Sequence, residues 1–265
     1  QDLILAMGAH GAEPTNPPPW SRRDIGILLV GNADGPAPTD LRNGWRNLPA
    51  PWNRVLDAMA EAWAAAPGTP PESLARDALT AVGATNVDGH HFFTIMRMFD
   101  DWARRHVRHA ILPALAGLPV TVVGRGWDAL AAPGHQVLGP RPAAEVGELV
   151  ARARLSLNIL PDYYLSHERV FSAMAAGTAV ATTGDGYLAN ALGLGRHAAD
   201  ELAIAYLGPA SGRPERLAAL WADQAALARQ AEAGLEEFCR HHTWERRVAH
   251  LLAVIGDRGG DRGGG

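Results

Sequence analysis

An α/β fold built on a doubly wound parallel sheet of about six strands is what the sequence predicts, and three observations carry it. Short apolar runs recur at residues 25–30, 120–123, 136–138, 155–160, 179–183 and 204–207. Nearly all of them are apolar throughout rather than alternating, as strands covered on both faces are. Most end in glycine or another turn residue, and helical segments separate most of them. Repeated strand, turn and helix units close into a parallel sheet that binds ligands beyond the carboxyl ends of its strands.

The elements follow in order. Residues 1–24 hold the stretch Glu13-Pro14-Thr15-Asn16-Pro17-Pro18-Pro19-Trp20 and read as a proline-rich, extended linker. Between the first and second strands the chain is far longer than one crossover helix needs. Trp52, Val55, Leu56, Met59, Ala60 and Trp63 recur there at helical spacing, as do Phe92, Ile95, Met96, Phe99 and Trp102. Pro67-Gly68-Thr69-Pro70-Pro71 breaks the interval into at least two pieces, which predicts a helical insertion. Val146, Leu149, Val150 and Ala153 mark a further helix, and residues 214–241 form an Ala- and Leu-rich one. Thr243-Trp244-Glu245-Arg246-Arg247 opens a closing helix through Leu251, Leu252 and Ile255. One domain is therefore expected over 25–255, followed by a disordered Gly/Arg tail over 256–265.

Composition removes several function classes. With 265 residues, 47% hydrophobic and 20% charged, the chain is an ordinary globular protein, and a net charge of −4 offers no basic footprint for nucleic acid. All 24 basic residues are arginine, so a phosphate-loop lysine and a Schiff-base lysine are both impossible. The single Cys239 excludes an intrachain disulfide and a thiolate metal cluster, its helical setting suggests packing, and a reducing cytoplasm is the expected compartment. No apolar stretch reaches the length of a membrane span, and Gln1-Asp2-Leu3-Ile4 lacks the charged start of a signal peptide. The chain has no initiator Met and reads as a fragment or processed piece. Among its 11 histidines, His106 and His109 lie one helical turn apart without an evident third ligand, so no metal site is expected.

The most informative run is residues 166–183, a polar helix start followed by a small-residue turn and a buried strand. Val170, Phe171 and Met174 share one side of the helix, whereas Glu168, Arg169 and Ser172 occupy a separate polar arc. Ser166 is placed to cap the first turn, leaving free N–H groups and the positive dipole end for an anion, with His167 beside them. Arg169 opposes the helix dipole at that position, which makes better sense if a diphosphate sits between it and the helix end. The plainer alternative is a surface arginine paired with Asp162 or Glu168. Gly124-Arg125-Gly126-Trp127-Asp128-Ala129 fits a dinucleotide-type turn after a strand, but the next strand ends in Gly139-Pro140-Arg141 without a ribose-binding acid. A turn that lets a nucleotide or sugar approach is thus favoured over a nicotinamide site, and a tight turn without ligand stays open. Asn32, Asn158, Thr182 and Thr183 stand at or near strand ends and are candidates for sugar hydroxyls or phosphate oxygens, or for turn-fixing hydrogen bonds. The same holds for the turn Gly184-Asp185-Gly186-Tyr187 beyond them.

These residues resemble the carboxyl-terminal, donor-binding half of GT-B glycosyltransferases, and most closely the group-1 branch that includes the spore-maturation CgeB-like proteins. Four pieces carry the likeness in order: Ile27-Leu28-Leu29-Val30-Gly31-Asn32, Val122-Val123-Gly124-Arg125-Gly126-Trp127, Val137-Leu138-Gly139-Pro140-Arg141, and the helix from His167 to Gly177. The closing Thr243-Trp244-Glu245-Arg246-Arg247 fits as well, so the likeness spans about residues 25–255. Many group-1 enzymes carry two glutamates eight residues apart where this chain has Tyr164 and Ser172. The resemblance implies a Rossmann-like sheet, a nucleotide-diphosphate sugar as donor substrate, no bound cofactor, and transfer of its sugar to an acceptor the sequence does not identify. It implies Arg169, Glu168 and His167 at the reacting diphosphate, with Arg42 or Arg125 as the second cation. Asn32, Gly124, Gly126, Trp127, Gly139, Arg141, Asn158, Ser172, Thr182 and Thr183 would bind the donor. It also implies a partner amino-terminal domain that carries the acceptor site. A non-catalytic nucleotide-sugar-binding domain and a nucleotide-sugar epimerase are the competing readings.

Overall fold

The computed structural model describes residues 16–84, 86–164, 167–183, 203–208 and 210–260. Six parallel strands form one sheet: β1 (Ile25–Val30), β2 (Val120–Val123), β3 (Gln136–Val137), β4 (Ala153–Asn158), β5 (Ala179–Thr182) and β6 (Ala205–Tyr206). Their spatial order is β3-β2-β1-β4-β5-β6, all pairs parallel. The predicted doubly wound, Rossmann-like fold is therefore present, with its switch of direction between β1 and β4.

Alternate residues of the strands feed two cores. Ile27, Leu29, Val120, Val122, Leu155 and Leu157 face one, Leu28, Val123 and Val180 the other. Coverage on both faces is why the strands read as continuous apolar runs. The fourth strand starts two residues earlier than the apolar run suggests, because the preceding helix passes into it directly at Ala153. Ile159 and Leu160 stay buried beyond the ladder, held by the Thr183 hydroxyl, which donates to Leu160 O at 2.6 Å and accepts from Leu160 N at 2.8 Å.

The insertion after β1 holds four helices: α1 (Pro38–Trp45), α2 (Trp52–Ala65), α3 (Pro71–Ala81) and α4 (Gly89–Ala114). Asp88 caps α4 by accepting from His91 N at 3.0 Å. Trp45 and Trp63 each pack on Trp102 of α4 with ring centroids 5.5 Å apart, fixing the rotation of that helix. Ile95, Phe99, Trp102, Ala103 and Val107 are its buried arc. At about 100° per residue, Arg104, Arg105 and Arg108 then lie on the other side.

On the second face run α5 (Ala143–Arg152) and α6 (Glu168–Ala175). Val170, Phe171 and Met174 of α6 are buried as their spacing predicts. Gly177, at φ +61°, ends α6: its N–H bonds Met174 O and the Thr178 N–H bonds Ala173 O, so the small-residue turn is a left-handed cap.

The expected single helix over 214–241 is two, α7 (Arg213–Ala222) and α8 (Gln224–His241), parted at Asp223, whose side chain caps the second by accepting from Ala226 N. Cys239 is exposed rather than packed, because the buried side of α8 runs through Leu227, Ala231, Gly234 and Phe238 and leaves its neighbour outside. The closing helix α9 extends over Trp244–Gly260, past Gly256, although each terminal glycine disfavours helix by about 1 kcal/mol. Among the described residues no helix is long and apolar enough to cross a membrane.

Residues 16–24 lie against the amino ends of the strands. Arg23 is buried there, its guanidinium donating to Ala153 O at 2.8 Å and Thr178 Oγ1 at 3.1 Å. Residues 1–15, the Ser166 cap position, the turn at 184–187 and the tail from 261 fall outside the described residues.

Candidate functional site

The sequence places its polar candidates at the carboxyl ends of the strands, and the structure sorts them into groups that bond one another and groups that do not. The turn after β2 lies against the turn after β1. A Cβ on Gly124, at φ +134°, would stand 1.7 Å from Gly31 O, and one on Gly126, at φ +80°, 2.3 Å from Asp34 N. Glycine is therefore required by the chain's own backbone. Arg125 N donates to Asn32 Oδ1 at 3.0 Å, Ala33 N to Arg125 O at 2.8 Å, and Trp127 Nε1 to Gly31 O at 2.7 Å. Trp127 is fully enclosed, so it supports this crossing rather than reaching a ligand surface.

A second self-bonded group joins β4 to β5. Asn158 Nδ2 donates to Thr182 Oγ1 at 3.0 Å, Thr182 Oγ1 to Thr183 O at 3.0 Å, and Thr183 N to Asn158 O at 3.1 Å. All three residues are buried, and Asn158 Oδ1 has no partner among the described residues. Gly139 lies farther out, its carbonyl accepting from Gly124 N at 2.9 Å, and the exposed Arg141 reaches Glu145 at 3.8 Å.

The amino end of α6 differs. His167, in extended conformation, is the cap, with Arg169 N donating to its Nδ1 at 3.2 Å. The same nitrogen lies 2.9 Å from Glu168 Oε2. Burial, then Arg169, with further contributions from Arg108 and Arg104, pushes the His167 pKa down to about 4 against the opposing pull of Glu168. The ring is thus neutral near pH 7: with its proton on Nε2 it caps the helix, with the proton on Nδ1 it bonds Glu168.

Arg169 is half-buried, and burial lowers its pKa while Glu168 partly offsets this. The two carboxylates that a surface reading assigns to it are engaged elsewhere, Asp162 with Arg213 and Glu168 with His167. Among the described residues no hydrogen bond or ion pair holds its guanidinium. Its Nη1 lies 3.5 Å from the position of a Cβ on Gly31, which sets it at the switch between β1 and β4. The expected second cations are occupied: Arg42 bonds Asp57 at 2.9 Å and Glu61 at 3.4 Å, and Arg125 bonds Asp34 at 2.8 Å.

Sequence reasoning missed the contribution of α4. Arg108 Nη1 donates to Asn32 O at 2.8 Å, Arg105 donates to Asp34 O, and Arg104 pairs with Asp100 at 3.0 Å. Asp100 also accepts from Tyr163 and Tyr164, both at 2.9 Å, tying the loop after β4 to α4. Burial is the main cause that raises both phenol pKa values, Tyr164 to about 12. The available signal was Arg104-Arg105 followed by Arg108, one helical turn apart on a helix with a clear cap.

Beside Arg169 a cavity of about 510 Å³ opens between α5 and α6 over β1 and β4. Val30, Val146 and Val150 give it apolar walls, and Glu148, Ser172 and Arg169 are polar groups on its lining. Ser172 donates its hydroxyl proton to Glu168 O at 3.1 Å, so toward the cavity it offers only acceptor lone pairs. A smaller cavity of about 280 Å³ between α2, α4 and the start of α7 holds the Asp162–Arg213 pair and lies away from Arg169.

No curated protein matches the chain. Its shape is similar to the crystal structure of TarM, at 7% sequence identity and a TM-score of 0.47, covering 92% of this chain and 37% of that one. The chain thus spans little more than a third of that protein's length. The family model described as Glycosyl transferase-like matches residues 104–253, more than half of the sequence, from within α4 to within α9, a stretch that holds Arg108, Arg169 and every residue of the cavity lining except Val30. The chain belongs to the glycosyl transferase-like family.

Proposed function

We propose that the chain is the donor-binding part of a glycosyltransferase, which takes a nucleotide-diphosphate sugar and delivers its sugar to an acceptor held by a second domain. The observation that carries this reading is Arg169: a half-buried guanidinium without a carboxylate partner among the described residues, at the switch of a parallel sheet, beside a helix start and on the wall of a 510 Å³ cavity. The volume falls in the range of about 300–1,000 Å³ usual for small-molecule sites. Apolar walls suit the faces of a base, and the helix end with Arg169 suits the diphosphate.

In the reaction the bond between the sugar's anomeric carbon and the terminal phosphate oxygen breaks, and the electron pair leaves with the nucleoside diphosphate. Arg169 and the positive dipole end of α6 oppose that developing charge. Neutral His167 caps the turn, and Glu168 is engaged with His167. The acceptor oxygen forms the new bond and gives up its proton to a base outside these groups. A non-catalytic nucleotide-sugar binder is the second reading. It is favoured by Tyr164 and Ser172, which stand where the family's glutamates are expected and bond Asp100 and Glu168 O instead.

Calorimetric titration of UDP- and GDP-sugars into the wild type and Arg169→Ala tests the donor site. Binding to the wild type and loss in the variant is expected; no binding to either sinks the proposal. Product analysis with the full-length protein then separates transferase from binder.

A further inference from the structure

Arg108 of the helical insertion meets the same turn as Arg169 from the opposite side. Arg108 Nη1 bonds Asn32 O at 2.8 Å, and Arg169 Nη1 lies 3.5 Å from a Cβ built on the adjacent Gly31. The two guanidiniums therefore belong to different elements and converge on consecutive residues at the end of β1. Their neighbours on α4 are neutralised, Arg104 by Asp100 and Arg105 by Asp101. Arg108 and Arg169 have no carboxylate within ion-pair distance among the described residues. Each is half-buried, and the Arg108 pKa is lowered first by burial and then by the Arg169 charge. Two like charges held together and partly out of water are unfavourable to the free protein and become favourable once an anion lies between them.

We propose that Arg108 and Arg169 form a two-sided clamp that selects a diphosphate over a monophosphate, the second cation coming from the insertion helix. One phosphate is bound by Arg169 and the first turn of α6, and the other is reached by Arg108 across the β1 turn. Only one nitrogen of Arg108 is engaged with Asn32 O, which leaves further N–H donors of the planar fork for an oxyanion. Recognition is by chemistry common to any diphosphate, so the nucleoside part is read elsewhere, in the cavity. The inference rests on the donor-site reading above.

The test titrates UDP, UMP, GDP, GMP and inorganic pyrophosphate into the 265-residue chain and into Arg108→Gln, Arg108→Lys and Arg97→Gln. The last removes an exposed positive charge from the same helix and controls for net charge. The clamp predicts that Arg108→Gln weakens the nucleoside diphosphates and pyrophosphate about ten- to a hundred-fold. Monophosphate binding changes less than about three-fold, within the scatter of a lost long-range charge. Arg108→Lys, which keeps a charge and a donor for Asn32 O, retains part of the preference and shows that the fold persists. Wild-type binding of diphosphates with no loss in Arg108→Gln, or an equal loss for mono- and diphosphates, overturns the clamp and leaves the donor site standing. A wild type that binds none of the five compounds overturns both.

Discussion

Two regions at the same edge of the sheet hold comparable polar inventories and use them oppositely. Where β4 meets β5, Asn158, Thr182 and Thr183 bond one another and are buried. Where β1 meets α6, Arg169 and Arg108 are partly enclosed but bond no acid among the described residues, at an energetic cost to the free protein. A polar group at a strand end is therefore not a binding group by position alone. It becomes one when the fold holds it there and leaves its bonding capacity unspent. The turn after β2 belongs with the first region: its glycines accommodate the β1 turn, and its tryptophan donates to that turn's backbone.

The largest expected effect separates the self-bonded turn from an open one. Gly124→Ala drives a Cβ into Gly31 O and lowers stability by roughly 3 kcal/mol or more. Gly139→Ala, at φ +65° with no atom within 4 Å of the new Cβ, loses only about 1 kcal/mol. Urea denaturation of both variants measures the difference, and equal losses would mean that the crossing of the two turns is not what fixes Gly124.

Acid comes next. His167 and His242 have pKa values pushed down to about 4 and about 3, His242 by burial first and then by Arg247 and His241. Both ordinarily titrate near 6.5, so below that pH the unfolded chain binds protons that the folded chain refuses. Stability contributed by the neutral rings is present above pH 6.5 and is lost as pH falls toward 4. The slope is on the order of 1 kcal/mol per pH unit for the nearly buried His242, so His242→Phe flattens the thermal stability profile over that window. In the open region the same physics has a ligand signature. A bound diphosphate offsets the arginine charges around His167, so the proton NMR titration of that ring moves upward on adding UDP or GDP, while that of His242 stays in place.

The smallest effect belongs to the β4–β5 group. Asn158→Ala removes one buried hydrogen bond and costs about 1 kcal/mol, with nucleotide affinity unchanged. A loss of affinity without a loss of stability would move Asn158 into the binding region and blur the distinction between the two edges.

The sheet was legible because its strands are covered on both faces and so carry unbroken apolar runs such as Ile27-Leu28-Leu29. Helix α6 was legible from the spacing of Val170, Phe171 and Met174, and the prominence of Arg169 from its opposition to the helix dipole. What the sequence concealed depends on contacts between distant segments. Arg108 meets Asn32 across 76 positions of sequence, and only the packing of Trp45, Trp63 and Trp102 turns α4 so that it does. The Gly124 and Gly126 turn had the look of a place for a ligand to approach, because a glycine records that something comes close without recording what. The division of Asn158, Thr182 and Thr183 from Arg169 likewise needed the partners of each group, and residue type alone does not supply them.

In the proposed donor site Arg169 serves a ligand and not the fold. Its most direct test is Arg169→Gln, followed in parallel by thermal unfolding without ligand and by calorimetric titration with UDP and GDP. The expected result is a melting temperature equal to or above the wild type, because a desolvated charge is removed, together with a loss of diphosphate affinity of about ten-fold or more. A variant that melts lower yet binds the diphosphate as tightly as the wild type would contradict it.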